Sequence, residues 1–220
     1  MKKIASALCT LSLFAIVACN NANENKTDAT KSDTTATTAA PATDAAPPPP
    51  PMDSAAMMKM WMEMKTPGDM HKMLASQNGT WDNEMTMWME PGKPPSVSKS
   101  VSVNKMILGG RYQQSTYTGT MMGGPFEGIS ILGYDNLKKK FVNSWIDNGG
   151  TGVMYMEGSY DPATKSITLS GTMPDPTTGK DCTMRQVIRF TDDKHNTMEM
   201  YNTPAGGQEM KMFEIKSVKR

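Results

Sequence analysis

The sequence predicts an all-β domain, an antiparallel up-and-down barrel or half-barrel of about ten strands preceded by short helices and a disordered tether. Three observations carry this. Turn-forming clusters recur at 91–95, 109–110, 123–124, 135–136, 148–150, 161–162, 174–179, 192–196 and 204–207. Their spacing of roughly ten residues, with no helical period between them, describes a meander of sequential strands. A meander that long must protect its edges, and closure is the simplest way.

The chain divides into residues 1–18, 19–51, 52–65 and 66–220. The first segment has Lys2 and Lys3 ahead of an apolar run from Ile4 to Val17, the pattern of a secretory signal peptide. That run is too short for a spanning helix. It ends in Ile16-Val17-Ala18-Cys19, which resembles the lipobox of bacterial lipoproteins. The resemblance implies cleavage before Cys19 and acylation of that residue. Two or more chains would anchor the protein stably to a membrane of the cell envelope, on its periplasmic or surface side. Cleavage also removes Cys9 and leaves Cys182 as the lone thiol, expected to be a small buried hydrophobe within a strand.

Residues 19–51 are built of Asn, Thr, Ala, Asp and Lys and end in five prolines. Such a segment buries too little apolar surface to order itself and is expected to act as a tether. Residues 52–65 are methionine-rich. On a helix, Met57, Met60, Trp61 and Met64 fall at i, i+3, i+4 and i+7, a single apolar stripe that Thr66-Pro67-Gly68 terminates. Packing against the domain is one reading of the stripe. The other is a thioether site for Cu(I) or Ag(I) built from Met57, Met60, Met62 and Met64, because soft sulfur selects soft ions.

A second short helix, 70–77, leads into the strands. The hairpin from Gly124 to Asp147 is the clearest element: strand-forming runs flank Asp135-Asn136, two residues that tolerate a left-handed backbone and bond their own main chain. Both of its faces carry apolar residues, so which one looks inward stays open. Methionines alternate at 85, 87 and 89, at 154 and 156, at 198 and 200, and at 210 and 212, which puts each set on one face and predicts a partly methionine-lined interior.

Gly79-Thr80-Trp81 after a short helix is similar to the lipocalin, or broader calycin, signature. That resemblance implies a Trp closing the barrel base, with Lys219 or Arg220 packed over it. A longer set is Pro67-Gly68 with His71-Lys72, Gly109-Gly110-Arg111, Pro125-Phe126-Glu127-Gly128, Gly133-Tyr134-Asp135-Asn136 and Trp145-Ile146-Asp147. Together these resemble a bacterial family known only as domain of unknown function 1579, over residues 66–220. The resemblance says little of activity, since fold does not fix function.

The chemistry in the sequence is sparse. Two histidines, His71 and His195, stand at no metal-binding spacing, and no nucleophile elbow, zinc-protease motif or phosphate loop is present. A formal charge of +1 gives no footprint for nucleic acid. No cofactor is expected. Catalysis would require Glu127, Asp147, Glu157, Arg185, Glu199 and Tyr201 to converge inside the barrel. The leading expectation is a barrel that binds a small, mainly apolar ligand, with Arg111, Glu127, Tyr134, Trp145 and Asp147 as polar contacts placed by resemblance and residue type. Methionine-based Cu(I) or Ag(I) binding and an envelope enzyme are the alternatives.

Overall fold

A computed structural model describes residues 53–89 and 92–220. The expected signal peptide, Cys19 and the expected tether fall outside the described residues. Two helices, α1 (Ser54–Lys65) and α2 (Asp69–Ser76), precede ten strands. These are β1 (Gly79–Met87), β2 (Ser96–Ile107), β3 (Tyr112–Met121), β4 (Gly124–Asp135), β5 (Lys140–Asp147), β6 (Met154–Asp161), β7 (Ser166–Pro174), β8 (Asp181–Phe190), β9 (His195–Thr203) and β10 (Met210–Lys219). Each strand pairs antiparallel with the next, and β1 pairs with β10, so the sheet closes into a barrel with no free edge. The half-barrel alternative is thereby removed.

The turn chemistry read from the sequence explains the register. The Asp135 carboxylate accepts the N–H groups of Leu137 and Lys138 at 2.8 and 3.0 Å, which reverses the chain between β4 and β5. The reversal takes four residues, 136–139, with Lys139 at φ 55°.

One end of the barrel is plugged. α2 lies across it with Leu74 fully buried, and its C-terminal carbonyls, which the helix itself cannot satisfy, take donors from the barrel. Gln113 Nε2 donates to Leu74 O at 2.6 Å, Lys219 Nζ to Ser76 O at 3.1 Å, and Trp81 Nε1 and Asn104 Nδ2 to Gln77 O at 3.0 and 3.2 Å. Lys219 also lies over the buried Trp81 ring at 5.6 Å, while Arg220 pairs with Asp82 at 2.7 Å. Phe141, Met156, Ile167 and Leu169, all fully buried, fill the interior above the plug.

α1 packs differently. None of its residues is buried. Asp53 caps its first turn, and the Asn136 amide donates to the carbonyls of Glu63, Met64 and Thr66 at 3.0, 3.2 and 2.9 Å. The β4–β5 turn therefore fixes the end of α1, where Met64 is half-buried, and leaves Met57, Met58, Met60 and Met62 exposed.

Candidate functional site

Strand pairing decides which side chains share the lumen, because directly paired residues point to the same face. Trp81 pairs with Ser102, Ser102 with Tyr117, Tyr117 with Gly128 and Gly128 with Asp147. Since Trp81 is buried, this row points inward. The assignment reverses the usual pattern in β2: Ser98, Ser100, Ser102, Asn104 and Met106 face the lumen, while Val97, Lys99, Val101, Val103 and Lys105 face out.

The lumen thus has two unlike walls. The β1–β5 wall is the more polar, with Asn83, Ser102, Gln113, Ser115 and Asn143 buried beside Trp81, Leu132 and Phe141. Asn83 Nδ2 donates to Ser102 Oγ at 3.1 Å, and Ser130 Oγ to Asn143 Oδ1 at 2.7 Å. The β6–β10 wall is soft and apolar, with Met156, Leu169, Met184 and Met200 buried and Met154, Met173, Met198 and Phe213 packed against them. Cys182 belongs to this wall; its thiol, also buried, donates to Met173 O at 3.3 Å.

Set into the apolar wall are two carboxamides. Gln186 pairs across the sheet with Leu169 and Met200, and Asn202 with Met184, one layer nearer the end opposite α2. Their acceptor oxygens, Gln186 Oε1 and Asn202 Oδ1, are buried with no hydrogen-bond partner, as is Asn104 Oδ1 on the polar wall. Such oxygens are rare in folded proteins and each carries a desolvation cost of about 1–3 kcal/mol.

At the end away from α2, an aromatic group marks the mouth. The Trp145 ring meets Tyr117 edge-on at 5.3 Å and stacks on Phe126 at 6.3 Å. It lies directly over Gly128, where a Cβ would come within 2.5 Å of the ring. Trp145 Nε1 donates to Asp147 Oδ2 at 2.6 Å, and Asp147 Oδ1 accepts Gly149 N–H at 2.9 Å, so this carboxylate is a positioned acceptor. Burial pushes the Tyr117 hydroxyl up from its ordinary pKa, against a smaller opposing effect of Ser115, and keeps it a neutral phenol. Separate from this group, a cleft of about 670 Å³ lies at the rim of β1–β3, between Met85, Met87, Ser96 and Met121 and the outward-facing Val97 and Lys99.

Of the five polar contacts named from the sequence, the structure brings two together, Trp145 and Asp147. Tyr134 lies toward the plugged end, between His71 at 6.0 Å and Phe141 at 5.0 Å. It pairs with Phe141, four residues from Trp145 and so about 13 Å along the strand. Arg111 stands in the turn before β3, bonding Leu108 O at 3.0 Å, and Glu127 is exposed on the outer face. Sequence reasoning missed Tyr117, Phe126, Gln186 and Asn202. The signal that would have found them is the pairing register, which local pattern does not contain.

The remaining acidic and basic candidates face outward and neutralise one another. Glu157 accepts from Lys138 and Lys140 at 3.1 Å each, and Arg185 forks onto Glu209 at 2.7 and 2.6 Å while lying 3.9 Å over the Tyr201 ring. Lys211 first, then Arg189, hold the Glu199 carboxyl down at about 2. Among the described residues, no three His, Cys, Asp or Glu side chains gather at metal-binding distance. The lumen therefore offers aromatic contact, thioether surface and unfilled acceptors, with Asp147 as its positioned carboxylate.

Residues 66–219 match the model of the family described as Protein of unknown function (DUF1579). The chain belongs to that family. Among solved structures, it is similar to the crystal structure of Rv2717c from M. tuberculosis, with a TM-score of 0.53 and 13% identity. That alignment covers 70% of this chain and 99% of that one, and it is a likeness of fold. No curated protein matches the chain.

Proposed function

We propose that this member of the family is an exported envelope protein, lipid-anchored through Cys19, whose barrel takes up a small, mainly apolar ligand bearing hydrogen-bond donors. The observation that carries the binding part is the pair of buried acceptors without donors, Gln186 Oε1 and Asn202 Oδ1, set in a methionine-rich wall. A wall meant only to pack would carry leucine there, because an apolar group of similar size avoids the desolvation cost. The Trp145, Tyr117 and Phe126 group at the mouth supplies stacking surface. The anchoring part is supported by Ile16-Val17-Ala18-Cys19 following a charged and apolar leader.

A double substitution of the full chain, Gln186→Leu with Asn202→Leu, separates binding from packing. The probe is 1-anilinonaphthalene-8-sulfonate, an apolar fluorophore with an N–H donor. The double variant is expected to bind it about tenfold more weakly, a loss of about 1.4 kcal/mol. Its melting temperature is expected to rise by about 2–4 °C per kcal/mol recovered from the unfilled acceptors. Unchanged probe affinity, or a fall in melting temperature, would show that the two amides serve the packed barrel and not a ligand.

A further inference from the structure

α1 is apolar over most of its circumference, yet the barrel half-buries only Met64. At about 100° per residue, Met57, Met58, Met60, Trp61, Met62 and Met64 occupy an arc of about 200°. Lys59 and Glu63, paired at 4.0 Å, lie on the side opposite. The reading of this stripe as packing on the domain is corrected by the structure, which buries no residue of the helix. The helix is nevertheless fixed, capped by Asp53 at its start and held by Asn136 at its finish. A fixed apolar face left open in this way marks a surface that something else covers.

Exposure, charge and position say what covers it. Met58, Trp61 and Met62 are 65, 55 and 48% exposed and share an arc of about 100°, in which Lys65 also lies at the helix end. An indole ring among long apolar side chains, with lysine beside them, suits the boundary between lipid headgroups and acyl chains. The turn that holds the helix extends this surface. Leu137 is 60% exposed there, and Lys65, Lys138, Lys139 and Lys140 stand against two carboxylates. One is Asp135, which caps the turn, and the other is Glu157, which accepts from Lys138 and Lys140. This excess of lysine favours anionic headgroups over a second copy of the chain, which carries the same charge. Residues 19–52 join Cys19 to the helix, and a chain of that length spans at most about 110 Å.

We propose that α1, with the β4–β5 turn, is a membrane-docking surface. Met58, Trp61 and Met62 enter the headgroup–acyl boundary of an anionic bilayer, and Lys65 and Lys139 meet its phosphates. This rests on the reading of Cys19 as the anchor, which keeps α1 within reach of that bilayer. Asn136 belongs to the plugged end, where Tyr134 meets His71 of α2. Docking therefore turns the plug to the membrane and leaves the mouth facing away from it.

The test takes the full chain as its natural host makes it, incorporated at low density into vesicles of phosphatidylethanolamine and anionic phosphatidylglycerol. Oxidation of each methionine by dilute hydrogen peroxide is followed by peptide mass spectrometry. Met122, at the mouth and 80% exposed, is the reference within each sample. Met57, Met58, Met60 and Met62 are expected to be oxidised at least about fivefold more slowly than Met122, a lag beyond what their smaller exposure supplies. A variant carrying Met58→Gln, Trp61→Gln and Met62→Gln keeps helix propensity and disturbs no buried residue. In it, Met57 and Met60 are expected to come within about twofold of Met122. Acyl mass on Cys19, read on the same sample, reports the anchor separately, and the lag on vesicle-bound chain decides α1 by itself. The proposal is overturned if the α1 methionines keep pace with Met122, if the triple variant keeps the lag, or if no chain stays on the vesicles. A lag that grows with the density of chains would assign α1 to a second copy and overturn it equally.

Discussion

His71 ties α2 to the barrel through a single protonation state. Its Nδ1 accepts the Gly68 N–H at 3.0 Å, which requires that nitrogen to be bare, and the ring also hydrogen-bonds the Tyr134 backbone. Burial lowers the pKa from 6.5, the Tyr134 bond opposes the shift, and the Arg111 charge adds to it. As pH falls below 6.5 the unfolded chain takes up a proton that the folded chain refuses, so stability declines with falling pH. A His71→Gln variant lacks this linkage. The melting temperature of the wild type is therefore expected to fall, relative to that variant, between about pH 7 and about pH 5, and to run parallel to it above about pH 7. Parallel curves across the whole range would remove His71 as the group responsible. At this scale, Trp145 and Asp147, named by resemblance and residue type, come together because residues two apart on a strand share a face. Glu127 and Arg111 misled, because one residue of register or a place in a turn sends a side chain away from the lumen.

The elements themselves were the most legible part, since glycine, proline and Asp-Asn clusters punctuate the chain for local reasons that tertiary packing does not override. β2 shows what escaped. Its valines suggest a hydrophobic inner face, yet they face out and its serines face in, because the lumen wall they join is polar. Close approach between strands leaves another mark that the sequence does not explain. Gly158 of β6 pairs with Leu169 of β7, and a Cβ there would stand 1.8 Å from the Thr168 carbonyl oxygen. Backbone, unlike a flexible side-chain tip, has little room to shift. Gly158→Ala is expected to destabilise the barrel by about 1–3 kcal/mol, read as a lower denaturant midpoint at an unchanged slope. An unchanged midpoint would mean that β6 and β7 lie farther apart than the structure places them.

At the scale of the whole molecule, the number of strands left a barrel or a half-barrel, and the β1–β10 pairing closes it; the character of the enclosed space was less legible still. Alternating methionines at 85 and 87, 154 and 156, 198 and 200, and 210 and 212 pointed to a soft interior; pairing puts the first three sets on the lumen side, while a register shift between Lys211 and Phe213 breaks the alternation of the fourth. That Asn, Ser and Gln also line the lumen across β1–β5, beside Met85 and Met87, emerges only once β1 and β10 meet and fix which face is enclosed. The arrangement is amphipathic from wall to wall, plugged by α2 at one end and lined by Trp145 and Phe126 at the other. Native mass spectrometry of the full-length gene product, isolated from its natural source without denaturation, is the direct test of a ligand in the barrel. A ligand-carrying barrel gives a reproducible excess mass, in the range of a small molecule, that vanishes on denaturation. The denatured chain should begin at Cys19 and keep a covalent acyl mass. Native and denatured masses that agree would contradict the ligand-binding barrel, and a chain without acyl mass on Cys19 would contradict the anchor.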